Sequence, residues 1–298
     1  MRANKSILEA REKSRDLNPV IITAILSLLV VIPQYFLGLI LKFSQNIEIL
    51  DDFWTYLDTN DLFFLLIIYS TAITLILAYI FARKILKRSN LSLGLVDNKK
   101  ILNYGKGILL GFGLLSLIVL ILNLSGFAEI TPNLSDFNLK LFLIFVLAWL
   151  IQGFEEEFLL RSILMNQLAA GGKIEVAMIA NSLIFSIFHL GNTGFNVLAF
   201  VNVFLMGLVF SLIFYLKDSI YLVGAAHSFW NMTMANIYGM AVSGNNPPGV
   251  TLLKTRLKGP ALMTGGGFGL EASLVTSLVL GTLALILIKR IKKIDPES

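Results

Sequence analysis

Long runs of apolar residues alternate with short polar stretches along the whole chain. A helix needs about 20 mostly apolar residues to cross the hydrocarbon core of a bilayer. Eight of these runs are candidates for such a helix, and the fourth is longer than one crossing requires. The eight predicted spans are 19–43, 62–82, 106–127, 138–168, 174–192, 195–216, 219–240 and 268–288. The pattern therefore predicts an all-α fold, a polytopic transmembrane helical bundle of about eight helices.

Two connections between the predicted spans have a distinctive composition. Residues 44–61 contain Trp54 and Tyr56 among acidic residues, and aromatic side chains of this kind favour a helix lying at the membrane interface. Residues 243–267 are rich in glycine and proline, which predicts a flexible connector on the outer side of the membrane.

Composition supports a single membrane domain. The chain is 56% hydrophobic and only 14% charged, whereas a soluble domain carries about 25% charged residues. We expect a cytoplasmic N-terminal tail over 1–18, a transmembrane domain over 19–288 with its chemistry in 138–240, and a cytoplasmic C-terminal tail over 289–298. The absence of cysteine excludes disulfides, thiolate metal sites and a cysteine nucleophile.

The net charge of +5 is explained by where the basic residues fall. They concentrate before the first span, in segment 83–106 and after the last span, whereas the first loop on the opposite side is acidic. Basic loops mark the cytoplasmic side of a membrane protein. The pattern predicts a multi-pass plasma-membrane protein with both termini in the cytoplasm, and it gives no reason to expect a nucleic-acid partner.

The stretch "QGFEEEFLLRSIL", residues 152–164, places four charges inside a predicted span. Each charge near the bilayer centre costs at least ~2.5–3.5 kcal/mol, so such residues indicate a functional site. Glu157 and Arg161 are four residues apart and are predicted to form a buried ion pair. Glu156 lies about 100° further round the helix, free to face another helix. Glu155 points in a third direction and has no assigned role.

The two histidines of the chain both fall inside predicted spans. Phe185 lies one turn before His189, and Asn231 lies one turn after His227. Glu156 and His189 are almost equally far, about 25 Å by helical rise, from the turn that joins their spans. The sequence therefore predicts one cluster of Glu156, His189, His227 and Asn231 within the membrane.

These residue types suggest hydrolysis of a carbonyl group by an activated water. A glutamate beside a histidine can take a proton from water, and a histidine with an asparagine can donate hydrogen bonds to the developing oxyanion. The same side chains are also zinc ligands, so Glu156, His189 and His227 are a possible metal set. Residue types alone leave both chemistries open.

Three motifs carry a resemblance to a known family. "EEFLLR" at 156–161, "FSIFH" at 185–189 and "HSFWN" at 227–231 follow one another on successive predicted helices. In this order they resemble the CPBP family of intramembrane proteases, which includes type II CAAX prenyl endopeptidases and bacterial proteins tied to bacteriocin processing or self-immunity.

The resemblance implies a role for each matched residue. Glu156 would activate the water with the help of His189, and His227 and Asn231 would stabilise the oxyanion. The remaining motif positions, which would support and orient the site, are Glu157, Arg161 and Phe185. The family has been described both as metalloproteases and as glutamate proteases, so the resemblance leaves a zinc cofactor open.

We therefore expect an intramembrane endopeptidase acting on a membrane-embedded or lipidated peptide or protein. Two alternatives belong to other classes. Glutamates and histidines inside a membrane also occur in proton- or ion-coupled transporters, although here they form one cluster rather than a path across both leaflets. A non-catalytic bacteriocin self-immunity protein would keep the fold without turnover.

Overall fold

The computed structural model of the protein describes residues 1–15, 17–44, 62–134 and 137–295. The helices in these ranges are α1 (Lys5–Lys13), α2 (Pro19–Ser44), α3 (Leu62–Ile80), α4 (Lys100–Leu124), α5 (Leu139–Glu157), α6 (Asn166–Gly171), α7 (Ile174–Ile187), α8 (Val197–Lys217), α9 (Ile220–Met232), α10 (Ala261–Thr264) and α11 (Leu274–Ile294). Wider π-helical turns continue three of them, at Phe81–Ile85, Phe158–Met165 and Thr233–Ile237. Strands β1 (Ala128–Pro132) and β2 (Leu253–Leu257) pair antiparallel.

The predicted all-helical membrane bundle is confirmed. Five of the described helices are long and apolar enough to cross a membrane, at Pro19–Ser44, Leu62–Ile85, Lys100–Leu124, Val197–Lys217 and Leu274–Ile294. The other predicted spans correspond to α5, α7 and α9. Helix α7 has 14 residues, which reach only about 21 Å at 1.5 Å per residue. The helices that carry the candidate chemistry are thus shorter or more polar than the ones around them.

Helix α9 packs between α4 and α5 at the centre of the bundle, and nearly all of its residues are buried. Glycines allow this close packing. A Cβ at Gly153 of α5 would lie 2.4 Å from the Ser228 amide nitrogen, and one at Gly111 of α4 would lie 2.1 Å from the Ala226 oxygen. Only a residue without a side chain permits these approaches. They hold the polar end of α5 directly against α9.

A buried arginine fixes the segment that follows the polar end of α5. Arg88, in the loop after α3, is 1% exposed. Its guanidinium donates hydrogen bonds to Ser92, to the Gln167 side-chain oxygen at 3.1 Å and to the Ser162 carbonyl at 3.3 Å. Burial lowers the pKa of Arg88 to about 10, which leaves it charged at neutral pH. The loop and the π-helical segment are therefore held together by one side chain.

Several predicted boundaries are wrong. Helix α7 ends at Ile187 rather than 192, because turn hydrogen bonds such as that from the Asn192 amide to the His189 carbonyl replace the helical ones. His189 therefore lies just beyond the helix. The last span begins at Leu274 rather than 268, because Gly265 and Gly269 have positive φ and end the short turns before it.

The N-terminal tail and one of the two unusual connections contain regular secondary structure. The predicted tail contains α1, which packs against α6. The predicted flexible connector 243–267 contains β2, which pairs with β1, so backbone hydrogen bonds order part of it. The interfacial helix predicted over 44–61 falls almost entirely on residues 45–61, outside the described part of the chain.

Candidate active site

A buried ion pair supports one of the two histidines. Glu157 and Arg161, both 0% exposed, form the pair expected from their spacing, with 2.8 Å between Arg161 Nη1 and Glu157 Oε1. The same carboxylate oxygen lies 2.8 Å from His227 Nδ1. Arg161 also donates to the Gly207 carbonyl at 2.9 Å. Since the ring is held at Nδ1, the orientation of Nε2 is fixed.

Glu156, the first glutamate of the motif, lies near the other nitrogen of this ring. His227 Nε2 lies 3.6 Å from Glu156 Oε2. The other oxygen of Glu156 accepts a short hydrogen bond from the side-chain amide of Gln152, which in turn accepts one from Asn231 Nδ2 at 2.8 Å. Gln152 thus joins Glu156 to Asn231. The histidine lies between the two glutamates of the motif.

The ring of Phe185 packs against both histidines and the arginine. The Phe185 ring contacts His189 edge-on, with 4.8 Å between centroids, and His227 at 6.0 Å. The Arg161 guanidinium lies over the same ring, 5.0 Å from its centroid. A cation over an aromatic face is attracted by the ring quadrupole. Phe185 therefore contacts three of the motif side chains at once.

His189 reaches the site from the turn after α7. Its Nδ1 is 2.9 Å from the Phe185 carbonyl oxygen, an acceptor, so Nδ1 carries the proton and Nε2 has a free lone pair. The side chain is half-buried. It lines the same cavity as Glu156 and His227, but within the described ranges no hydrogen bond joins it to Glu156.

The polar residues open onto one cavity of about 300 Å³. A polar cavity of this size has room for several waters. One wall consists of Gln152, Glu155, Glu156, His189, His227 and Asn231. Much of the remaining lining is apolar, and α2 and α3 contribute Val30, Gln34, Phe64, Ile68 and Thr71 to it. The polar site residues thus share the cavity with apolar side chains.

A carboxylate that the sequence motifs did not reveal anchors the outer rim of this cavity. Glu271, 9% exposed, accepts hydrogen bonds from the Ser243 amide at 2.6 Å, the Ser243 hydroxyl at 2.8 Å and Trp230 Nε1 at 3.1 Å. Ser243 lines the cavity, and Asn192 donates to its carbonyl at 2.9 Å. No sequence spacing relates Glu271 to the motifs, so only the fold brings them together.

The possible zinc set is only partly assembled. Glu156 and His227 are adjacent, but in the part of the chain that the structure describes no group of three His, Asp or Glu side chains has the arrangement of a metal site. A catalytic zinc site generally uses three protein ligands. Glu156, His189 and His227 do not fit that requirement in this arrangement.

The comparisons with known proteins concern the segment that carries these residues. Residues 138–233 match the family model described as Rce1-like, type II CAAX prenyl endopeptidase Rce1-like. This match, over about a third of the chain, confirms the resemblance inferred from the motifs and includes every motif residue from Glu156 to Asn231. It supports a protease of the CAAX type, a hydrolase in a multi-pass membrane protein. The comparisons with curated proteins and with solved structures gave no match.

Proposed function

We propose that the protein is an intramembrane endopeptidase that cuts a peptide bond of a membrane-embedded or lipidated peptide or protein with an activated water. The observation that carries this proposal is the position of His227, between Glu156 on one ring nitrogen and the buried Glu157 on the other. The family match over the same segment supports hydrolysis.

Glu156 is the proposed base. One of its oxygens is held by Gln152, whereas the other, Oε2, is buried with no hydrogen-bond partner among the described residues. That oxygen can accept a proton from a water in the cavity. His189, with a free lone pair on Nε2, can hold the same water by a second hydrogen bond. The resulting hydroxide attacks the carbonyl carbon of the peptide bond.

His227 and Asn231 are the proposed donors to the oxyanion. A ring held at Nδ1 by the Glu157 carboxylate can carry protons on both nitrogens, so that Nε2–H donates to the negative oxygen. The amide of Asn231 has two protons, of which one goes to Gln152 and the other has no acceptor among the described residues. When the carbon–nitrogen bond breaks, the proton held by Glu156 passes to the leaving amine. The products are a carboxylic acid, which gives its proton to solvent to become a carboxylate, and an amine, and Glu156 is restored.

The experiment uses the purified protein in detergent with a panel of lipidated and membrane-embedded peptides. Wild type is expected to cleave at least one peptide, and Glu156→Gln and His189→Ala are expected to lose cleavage. Glu129→Gln is the matched control, because Glu129 is exposed on β1 and pairs with Lys258, just after β2. Full cleavage by Glu156→Gln would overturn the mechanism.

Two further measurements on the same sample separate the alternatives. Addition of a chelator is expected to leave cleavage unchanged, and loss of cleavage that zinc restores would instead favour the metal mechanism. Reconstituted vesicles test transport. Ion flux that Glu156→Gln abolishes, together with no cleavage of any peptide, would favour a transporter.

We also propose that both termini face the cytoplasm, at the plasma membrane. The Arg2 amide donates to Asp295 at 2.6 Å, so the described ends of the chain lie together, and basic residues surround them. The chain has no cysteine, so single cysteines report the orientation directly. An impermeant maleimide on intact cells is expected to label Lys254→Cys and to spare Lys5→Cys. The reverse result would invert the orientation.

A further inference from the structure

Glu155 is the one acidic residue of the cavity wall that the proposed reaction does not use. It is 3% exposed and lies next to Glu156 on the wall of the cavity. Within the described residues, no hydrogen bond or ion pair engages its carboxylate. A buried carboxylate inside a membrane is normally paired with another group or lies on the pathway of a substrate or ion.

The charges around it are unevenly balanced. Glu157 is paired with Arg161 and with His227. Glu156 shares the ring of His227 and the amide of Gln152. Glu155 has neither, and the described residues that line the cavity include no lysine or arginine. The described residues therefore supply no counter-charge for the Glu155 carboxyl group on the wall where the substrate must lie.

A cation that enters the cavity would restore the balance. A cation beside the buried Glu155 carboxyl group favours its ionised form, and the attraction between the two charges is stronger at a buried site than in bulk water. A metal ion is a poorer candidate, because the described part of the chain brings together no three metal-ligating side chains of the His, Asp or Glu type. A cationic group carried by the substrate requires only the carboxylates that are present.

We propose that Glu155, next to the catalytic Glu156, forms a binding subsite for a cationic side chain of the substrate, a lysine or an arginine close to the scissile bond. The position of this cationic residue in the substrate follows from the spacing of residues along a peptide. Consecutive Cα atoms are about 3.8 Å apart, and Glu156 must reach the water that attacks the scissile carbonyl. The cation therefore lies within about two residues of the bond that is cut. This inference rests on the proposed protease function.

The subsite makes Glu155 a specificity-determining residue rather than a catalytic one. The apolar side chains that line the cavity can accept the aliphatic part of a lysine or arginine side chain, because such stems pack against apolar surface while the charged group binds a polar partner. Substrates with an uncharged residue at the same position would leave Glu155 without a partner. They are expected to be cleaved with a lower kcat/KM.

The test uses a peptide that the wild-type protein cleaves, remade with lysine, methionine or glutamate at each position within two residues of the cut. Methionine has a length similar to that of lysine without its charge. For wild type, the ratio of kcat/KM for the lysine peptide to that for the methionine peptide is expected to be at least about tenfold at one position, as for a hydrogen bond to a charged group. The glutamate peptide is expected to be the poorest.

The same ratio is then measured in variants. Glu155→Gln is expected to bring it close to one, Glu155→Asp to keep most of the preference, and the exposed control Glu129→Gln to keep all of it. Because the readout is a ratio within each enzyme, a general loss of active protein does not change it. Thermal unfolding of each variant is measured alongside.

Each outcome bears on the inference in a defined way. If wild type cleaves but has no preference for a cation at any position, the subsite is refuted even if Glu155→Gln does not fold. A preference that persists in Glu155→Gln assigns the cation to another residue and also refutes it. If wild type cleaves no peptide at all, the proposed protease function fails, and the subsite fails with it.

Discussion

Replacing Glu157 with glutamine is expected to reduce both stability and catalysis, for reasons that can be separated. The substitution leaves the buried Arg161 without its counter-charge, and it leaves His227 Nδ1 without a carboxylate partner. The shape of the side chain is almost unchanged. Packing around α5 and α9 is therefore preserved, and the effects follow from charge and hydrogen bonding.

The magnitude of the stability effect follows from the geometry. Two unit charges 2.8 Å apart attract by about 6 kcal/mol at an effective dielectric constant of 20. Part of this is offset by desolvation in the folded protein, and removal of one partner from a buried pair costs about 3–5 kcal/mol. For a chain of this size that loss corresponds to a fall in Tm on the order of 10 °C.

A double variant separates the two effects. Glu157→Gln combined with Arg161→Met removes both charges, which restores much of the stability because no buried charge is left alone. Cleavage is expected to stay about 10⁴-fold below that of the wild type, since loss of the carboxylate that orients a catalytic histidine has an effect of that order. Thermal unfolding in detergent and peptide cleavage measure the two quantities on the same samples.

Two outcomes would contradict this reasoning, and an exposed ion pair provides the control for the first. Glu129→Gln removes one partner of an exposed ion pair and is expected to change stability by less than about 1 kcal/mol. If Glu157→Gln behaves like this control, the buried pair contributes nothing. If the double variant regains full cleavage, Glu157 does not act through His227.

Three further changes have expected outcomes. Gln152→Ala removes the link between Glu156 and Asn231 and is expected to lower kcat about tenfold or more without a comparable change in Tm; an unchanged kcat would remove Gln152 from the site. Gly153→Ala places a Cβ 2.4 Å from the Ser228 nitrogen and is expected to cost at least about 1–3 kcal/mol, seen as a lower Tm. Arg88→Met leaves buried acceptors unpaired, at about 1–3 kcal/mol each, and is expected to lower Tm while the active fraction retains its kcat.

The general architecture was predictable because membrane burial imposes a strong pattern on the sequence. Runs of apolar residues identify helices, and the spacing of Glu157 and Arg161 places them on one face whatever the rest of the fold does. The long outer helices were predicted with nearly the right boundaries. The failures occur where glycines or turn hydrogen bonds end a helix inside an apolar run, as at Ile187 just before His189.

The finer arrangement of the site could not be predicted from spacing alone. The helical offset of Glu157 indicated its ion pair but not its hydrogen bond to His227, which depends on the close packing of α5 on α9 at Gly153. The sequence associated Glu156 with His189, whereas the structure brings it closer to His227. Glu271 lies far from the motifs in sequence and reaches the cavity rim only through the turns before α11.

The most direct test of the account is single-turnover cleavage in ¹⁸O-labelled water. The masses of the peptide fragments and of the intact protein are both measured by mass spectrometry. Attack by a water that Glu156 activates predicts one ¹⁸O in the new carboxyl terminus, an unchanged protein mass throughout the reaction, and no cleavage by Glu156→Gln. A peptide fragment covalently attached to the protein, or undiminished cleavage by Glu156→Gln, would contradict it.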